Sequence, residues 1–369
     1  KQLLSIRILH VINGEQYSGA ERVQDLLALS LPDLGYDVGF ACIKPDKFPE
    51  RRMAKKSLLH LVPMAFRFDI GVGLKLARIV RDEGYDLVHT HSPRAALVGR
   101  IASLLARVPM VHHVHSPASR DTEDPMRNRI NALMEKISLT GVARLIPVSK
   151  SLENYLRNKG FEPRKICMVA NGVPTPGPLP ERDAPGTEWV IGSMALFRPR
   201  KGIEVLIEAI AILRKEGKPV RLRAVGPFER DSYQTDIMAL TNRLGVSGAI
   251  DWTGFTQDVN AEFKKMDIFV LPSLFGEGMP MVILEAMAMG VPVVASDVEG
   301  VPEILENEST GLIVSPSDPL SLAQAIAKLM DGKCNWLEIR NAAYTKQSLN
   351  FSDTSMAKNV AGVYQDILG

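Results

Sequence analysis

The chain is poor in cysteine, in aromatic residues and in long apolar runs. Three of its 369 residues are cysteine: Cys42, Cys167 and Cys334. They are odd in number, widely spaced and form no CxxC pair, which excludes a disulfide scaffold and makes a reducing cytoplasm the expected setting. No apolar stretch approaches the roughly 18 residues that a membrane-spanning helix needs. Lys1 to His10 run directly into a strand-like segment, and no secretory signal is visible. Aromatic residues make up 6% of the chain and do not interleave with its basic segments, so no nucleic-acid partner is expected. What is present is an ordinary globular composition, 46% hydrophobic and 23% charged. At the usual ~100–200 residues per domain, the length predicts two domains.

The net charge of +2 conceals an asymmetry. Residues 1–172 hold 26 Lys and Arg against 17 Asp and Glu, a balance of +9, and the remainder carries −7. A basic half suits an anionic partner. Arg51, Arg52, Lys55 and Lys56 cluster beside Leu58, Leu59, Leu61 and Val62. Two readings stand here: an interfacial amphipathic patch for an anionic membrane, or a solvated helix face.

The first half alternates short β-rich runs with helical segments. The runs are 6–13, 37–43, 87–91, 110–115, 145–149 and 166–170, with amphipathic stretches such as 21–34 and 130–140 between them. The runs are continuously apolar, as strands buried on both faces should be. Residues 173–188 interrupt the rhythm with Pro174, Pro176, Pro178, Pro180 and Pro185, and predict a stiff linker. The rhythm then resumes in runs at 189–195, 220–225, 268–271, 291–295 and 312–314. Asp318-Pro319 is an N-cap with a first-turn proline, and 355–368 reads as a terminal helix. The expected fold class is α/β, with two Rossmann-like doubly wound domains facing a central cleft. The expected boundaries are 1–172 plus the last helix, a linker at 173–188, and 189–354. Ligands of such sheets bind beyond the carboxyl ends of the strands.

The residues of chemical interest lie at those ends. Gly19, after the first strand, lets a backbone approach a phosphate. His89 and His91 end one strand; His112, His113 and His115 end another. A His-x-His pair invites a metal reading, but no carboxylate or cysteine completes a set, so imidazoles that hydrogen-bond a polar ligand are expected and no metal. Arg198, Arg200 and Lys201 follow a strand and suit a diphosphate. In Pro272–Ala286 a glycine-rich turn carries Glu277, and a helix starting near Pro280 offers unpaired amides around Met281 and Val282 to an anion. Glu285 stands in the otherwise apolar helix, where a carboxylate needs hydrogen-bond donors such as ribose hydroxyls.

These motifs resemble the retaining GT-B glycosyltransferases of family 4. The resemblance spans nearly the whole chain and rests on Glu277-Gly278-Met279-Pro280 with Glu285, on Val291-Pro292-Val293-Val294-Ala295, Gly300-Val301-Pro302-Glu303-Ile304, Thr310-Gly311-Leu312, Val148-Ser149-Lys150-Ser151 and Asn171-Gly172-Val173. It implies that Glu285 binds the nucleotide ribose and Glu277 the donor sugar. It implies that Gly278, Met279, Pro280, Met281 and Val282 meet sugar and diphosphate, and that Lys201 neutralises the diphosphate. Gly19 would approach the phosphates and His115 the sugar near its reacting carbon. Ala195-Leu196 stands where the family has Gly-Arg, so Arg198 is expected to take that arginine's role. His113 and Ser116 flank His115 where the family has Thr and Asp.

The implied activity is metal-independent transfer, with retention, from a nucleoside-diphosphate sugar to a hydroxyl of a glycan or lipid-linked acceptor, with UDP preferred over GDP and no cofactor. The basic first domain suits an acceptor in bacterial cell-surface polysaccharide assembly, at the inner face of the plasma membrane. The rivals are a nucleotide-sugar epimerase of the same fold, a non-catalytic two-domain sugar-binding protein, and a metal-dependent hydrolase built on the histidines.

Overall fold

The computed structural model describes residues 5–66, 69–117 and 125–369, which divide into two compact units, 1–172 with 353–369, and 173–352. Unit 1 contains β1 (Ile6–Ile12), α1 (Gly19–Ser30), β2 (Tyr36–Cys42), α2 (Lys47–Arg51), β3 (Leu59–Leu61), α3 (Gly71–Asp82), β4 (Leu87–Thr90), α4 (Pro93–Ala106), β5 (Met110–Val114), α5 (Pro125–Ser138), β6 (Arg144–Pro147) and α6 (Lys150–Asn158). Its sheet has the order β3-β2-β1-β4-β5-β6, all parallel. The order reverses between β1 and β4, so the loops leaving those strands splay apart and open a crevice at their carboxyl ends.

Unit 2 repeats the scheme with β7 (Trp189–Met194), α7 (Ile203–Lys215), β8 (Val220–Val225), α8 (Asp231–Arg243), β9 (Ile250–Gly254), α9 (Val259–Phe263), β10 (Ile268–Leu271), α10 (Met281–Ala288), β11 (Val293–Ser296), α11 (Val301–Ile304), β12 (Leu312–Val314), α12 (Pro319–Met330) and α13 (Trp336–Asn350). The order is β12-β11-β10-β7-β8-β9, with the switch between β7 and β10. Ile191, Leu222, Ile268 and Val270 form its central layer, buried with Ile207 and Ile210 of α7 and Ile326 and Leu329 of α12. The last helix, α14 (Asp353–Leu368), belongs to unit 1, where Tyr364 is fully buried and the Tyr36 hydroxyl donates to the Ala361 carbonyl at 3.4 Å.

Local chemistry sets the helix starts that matter. Ser92 and Ser149 accept the amides of Ala95 (3.1 Å) and Leu152 (3.3 Å) and launch α4 and α6 directly after β4 and β6. Asp318 caps α12 through the Ser321 amide at 2.9 Å, with Pro319 in the first turn.

Several expectations from the sequence are corrected. Residues 166–170 form no strand: one bridge joins Ile166 to Leu145, and the Cys167 and Val169 amides bond Leu145 and Pro147 at 2.9 and 3.0 Å. The segment flanks the sheet edge with Met168 exposed, so regular pairing ends after one register step. The basic cluster is not a helix face either. Only 47–51 are helical; Leu59 and Leu61 lie in edge strand β3, Val62 is buried, and Leu58 and Leu61 remain exposed. Arg52 turns back onto the Ser57 carbonyl at 2.9 Å. Residues 173–188 lie against unit 2: Arg182 pairs with Asp267, the Tyr344 hydroxyl donates to the Gly177 carbonyl at 2.6 Å, and Arg340 donates to the Pro180 carbonyl at 2.6 Å. Among the described residues no helix is long and apolar enough to cross a membrane.

Candidate active site

In unit 2 the loops after β7 and β10 meet because those strands are hydrogen-bonded neighbours. After β7 the chain turns through residues 199–201, and Gly202 follows at φ 63°. A side chain at Gly202 would fall 2.2 Å from the Pro272 carbonyl oxygen, so glycine alone permits this approach. The Leu274 amide donates to the Arg200 carbonyl at 2.8 Å, and Arg200 Nη1 donates to the Gly276 carbonyl at 2.9 Å. Lys201 Nζ is thereby delivered onto Glu277 Oε1, where it forms an ion pair with both side chains largely buried. The Ser273 hydroxyl donates to the same oxygen at 2.6 Å. Burial pulls the Lys201 ammonium below its ordinary pKa, although Glu277 opposes the shift. Burial pushes the Glu277 carboxyl up, but Lys201, Arg200 and the Ser273 hydroxyl together hold it below its ordinary value, so the pair is ionised.

The turn carrying Glu277 is stapled from the loop that follows β11. Glu299, at φ 25°, accepts the amides of Gly276 (2.8 Å) and Glu277 (3.1 Å). The Gly300 amide donates to the Glu277 carbonyl at 3.0 Å. Gly300 has no room for a side chain, which would lie 1.9 Å from the Gly278 carbonyl oxygen. α10 then begins with Pro280 as N-cap, and its first in-helix bond is Ile283 N–H to the Pro280 carbonyl at 3.1 Å. The amides of Met281 and Val282 precede that bond. Met279, Met281 and Glu285 are buried, and Gly290 closes the helix at φ 65°. Glu277, Lys201, Gly278 and the start of α10 thus form one constellation. Arg198 stands apart from it: its Nη1 faces Glu229 Oε1 at 3.4 Å. Sequence reasoning missed Ser273 and Glu299, and gave Arg200 no role in the turn; the acid directly before Gly300, in the loop after a strand, was the available signal for Glu299.

In unit 1, Gly19 opens α1, and a side chain built on it meets no atom within 4 Å. Packing therefore does not demand glycine there. Ser18 and Glu21 cap the helix start, with 3.0 Å between their side-chain oxygens. The histidines sort by strand parity. His112 faces Thr90, with 2.8 Å between Nδ1 and the hydroxyl. His89, His91, His113 and His115 share the other side and are joined by His10 of β1, whose register partner is His89, and by Tyr364 of α14. Neither His10 nor Tyr364 was anticipated. His91 Nδ1 lies 3.1 Å from His115 Nε2, and His91 Nε2 lies 3.0 Å from His10 Nδ1.

Two triplets, His10–His89–His91 and His91–His113–His115, hold ring nitrogens within 4.8 Å of one another. Their rings are stacked: the interplanar angles are 26° for His91–His113, 18° for His91–His115 and 15° for His113–His115. A metal lies in the plane of each imidazole that binds it, about 2.0–2.1 Å from the nitrogen. The nearly parallel rings of His91, His113 and His115 are stacked face to face rather than aimed at one point. Burial lowers the imidazole pKa values, to about 3 for His10 and His112 and about 4 for His115, and keeps the rings neutral.

Two parallel doubly wound units, each with its polar residues at the carboxyl ends of the strands, define the GT-B class of transferase. The solved structure of Anabaena HepE in complex with UDP-glucose has this fold, with a TM-score of 0.87, 21% identity and coverage of 98% of this chain and 100% of that one. The families described as Glycosyltransferase Family 4 and Glycosyl transferases group 1 match residues 17–175 and 188–332. The chain belongs to this glycosyltransferase family and is an enzyme of that class. It is similar to the Escherichia coli UDP-Gal:alpha-D-GlcNAc-diphosphoundecaprenol alpha-1,3-galactosyltransferase, 28% identical over 352 residues, 89% of each chain. It is also similar to the putative colanic acid biosynthesis glycosyltransferase WcaL of Salmonella typhimurium, 28% identical over 284 residues, 74% of this chain and 68% of the relative.

Proposed function

We propose that the protein moves a sugar, with retention, from a UDP-sugar to a hydroxyl of a lipid-linked glycan in bacterial surface-polysaccharide assembly. The observation that carries this reading is the buried Lys201–Glu277 pair beside the unpaired amides that start α10. As the glycosidic bond breaks, the leaving diphosphate gathers charge. Lys201 and the amides of Met279, Met281 and Val282 meet that charge, Arg198 adds to binding of the donor before the bond breaks, and the reaction needs no divalent ion. Glu285 accepts the ribose hydroxyls, and Glu277 those of the sugar. The family resemblance assigns Gly19 to the phosphates and His115 to the sugar. The acceptor oxygen bonds the anomeric carbon on the face that the diphosphate leaves, and the acceptor proton passes to a departing diphosphate oxygen. The transition state is oxocarbenium-like.

The UDP preference and the lipid-linked acceptor are supported by the relative that uses UDP-Gal and a diphosphoundecaprenol acceptor. Membrane contact through unit 1 is supported by exposed Leu58, Leu61, Phe66, Ile70 and Leu74 in a basic half. The test is product formation from UDP-galactose, UDP-glucose and GDP-mannose with GlcNAc-diphosphoundecaprenol, in chelator, with the anomeric configuration read by NMR. A UDP-sugar should give an α-linked product. A new nucleotide sugar formed from donor alone would establish the epimerase instead, and activity lost to chelator would restore a metal.

A further inference from the structure

The imidazoles of unit 1 form a continuous row. His115 Nε2 meets His91 Nδ1, His91 Nε2 meets His10 Nδ1, and His10 Nε2 lies 3.3 Å from the Tyr364 hydroxyl. That hydroxyl lies 2.6 Å from His89 Nδ1. A neutral imidazole has one donor and one acceptor nitrogen. His91 and His10 use both nitrogens within the row, so its protons all point one way, and reversing one reverses the rest. The hydroxyl sets the sense. Contacts donated by O–H are shorter than those donated by N–H. Tyr364 therefore donates across 2.6 Å to His89 and accepts His10 Nε2–H across 3.3 Å. His10 Nδ1 then accepts from His91 Nε2–H, and His91 Nδ1 accepts from His115 Nε2–H. His115 keeps a bare Nδ1.

We propose that Tyr364, His10 and His91 are positioning residues that fix His115 as the Nε2–H tautomer, through a one-way relay anchored on the carboxy-terminal helix. This rests on the reading of His115 as a contact of the donor sugar. A bare Nδ1 accepts a hydrogen bond from a sugar hydroxyl and offers nothing to an oxyanion, so the relay selects what the ring engages. Burial keeps the row neutral, one proton per ring. The rings beside it, His113 stacked on His91 and Phe40 edge-on to His10, carry no charge, nor does Tyr36, whose ring lies 5.3 Å from that of Tyr364.

The experiment is imidazole nitrogen NMR of the full chain, in wild type, Tyr364→Phe and Tyr36→Phe, with turnover read as UDP release from UDP-galactose in the presence of GlcNAc-diphosphoundecaprenol. Tyr36→Phe removes the hydroxyl contact to Ala361 of the same helix but leaves the row intact. We expect His115 protonated at Nε2 in wild type and in Tyr36→Phe, and a mixture of tautomers in Tyr364→Phe. In Tyr364→Phe kcat should fall about tenfold, with KM for the donor within about twofold. Nδ1 protonation of His115 in wild type would overturn the proposal. So would an unchanged His115 spectrum in Tyr364→Phe, or an equal loss of turnover in Tyr36→Phe. A wild type that neither binds nor turns over UDP-galactose would defeat the transferase reading alone, and the two spectra would still decide the relay.

Discussion

Lys201 and Glu277 form a buried ion pair between loops that follow two adjacent parallel strands, β7 and β10, at the point where the strand order of unit 2 reverses. Each residue is held from its own side, Lys201 by the glycine approach at Gly202 and Glu277 by the Glu299 staple. An ion pair costly to bury is kept at the one place where an anionic ligand would exchange with it.

Removing one member should therefore be felt twice. Lys201→Ala leaves Glu277 buried beside Ser273 and Arg200, and loss of one partner of a buried pair typically costs about 3–5 kcal/mol. The double variant Lys201→Ala/Glu277→Ala should regain part of that loss in a denaturant-unfolding cycle. Transfer should fall by about 10²–10³ in Lys201→Ala, the scale of losing one preorganised charge.

Glu299 accepts two backbone amides of the turn, so its effect there should run through geometry. Glu299→Ala should lower kcat by at least about tenfold while UDP binding by calorimetry changes far less. Equal losses in both would mean that Glu299 itself holds ligand.

The two neighbouring arginines should separate kinetically. Arg200 fastens the turn through the Gly276 carbonyl, whereas Arg198 pairs with Glu229 outside it. Arg200→Ala should depress kcat and the melting temperature; Arg198→Ala should raise the donor KM and leave the melting temperature near wild type.

Acid should unfold unit 1. Burial holds His10, His112 and His115 at folded pKa values of about 3, 3 and 4, below the ordinary imidazole value of 6.5 that unfolding restores. The unfolded chain binds more protons in between, so stability is full above pH 6.5 and is lost as pH falls toward 4. At pH 5.5 each such imidazole costs about 1.4 kcal/mol. Urea midpoints at pH 7.5 and 5.5 should differ accordingly, and equal midpoints would contradict the buried neutral stack.

Much of this architecture was legible from apolar runs. Both sheets and the switch-point loops follow from strands such as β1 and β11, whose continuous apolar character reports burial on both faces. Strands β3 and β9 were not legible, because half-exposed edge strands carry too few apolar residues to stand out. Within the site, Glu277 and Glu285 announced themselves as charges in glycine-rich or apolar surroundings, and Lys201 as one of three cations directly after a strand. The histidine row did not, since it is assembled from β1, β4, β5 and α14 by register and by the return of the last helix, neither of which a local pattern encodes.

The most direct measurement is a crystal structure of the protein with UDP-galactose. The account predicts the diphosphate within hydrogen-bond distance of Lys201 Nζ and the amides of Met281 and Val282, with the ribose on Glu285. A nucleotide bound elsewhere, with Lys201 still closed on Glu277, would contradict it.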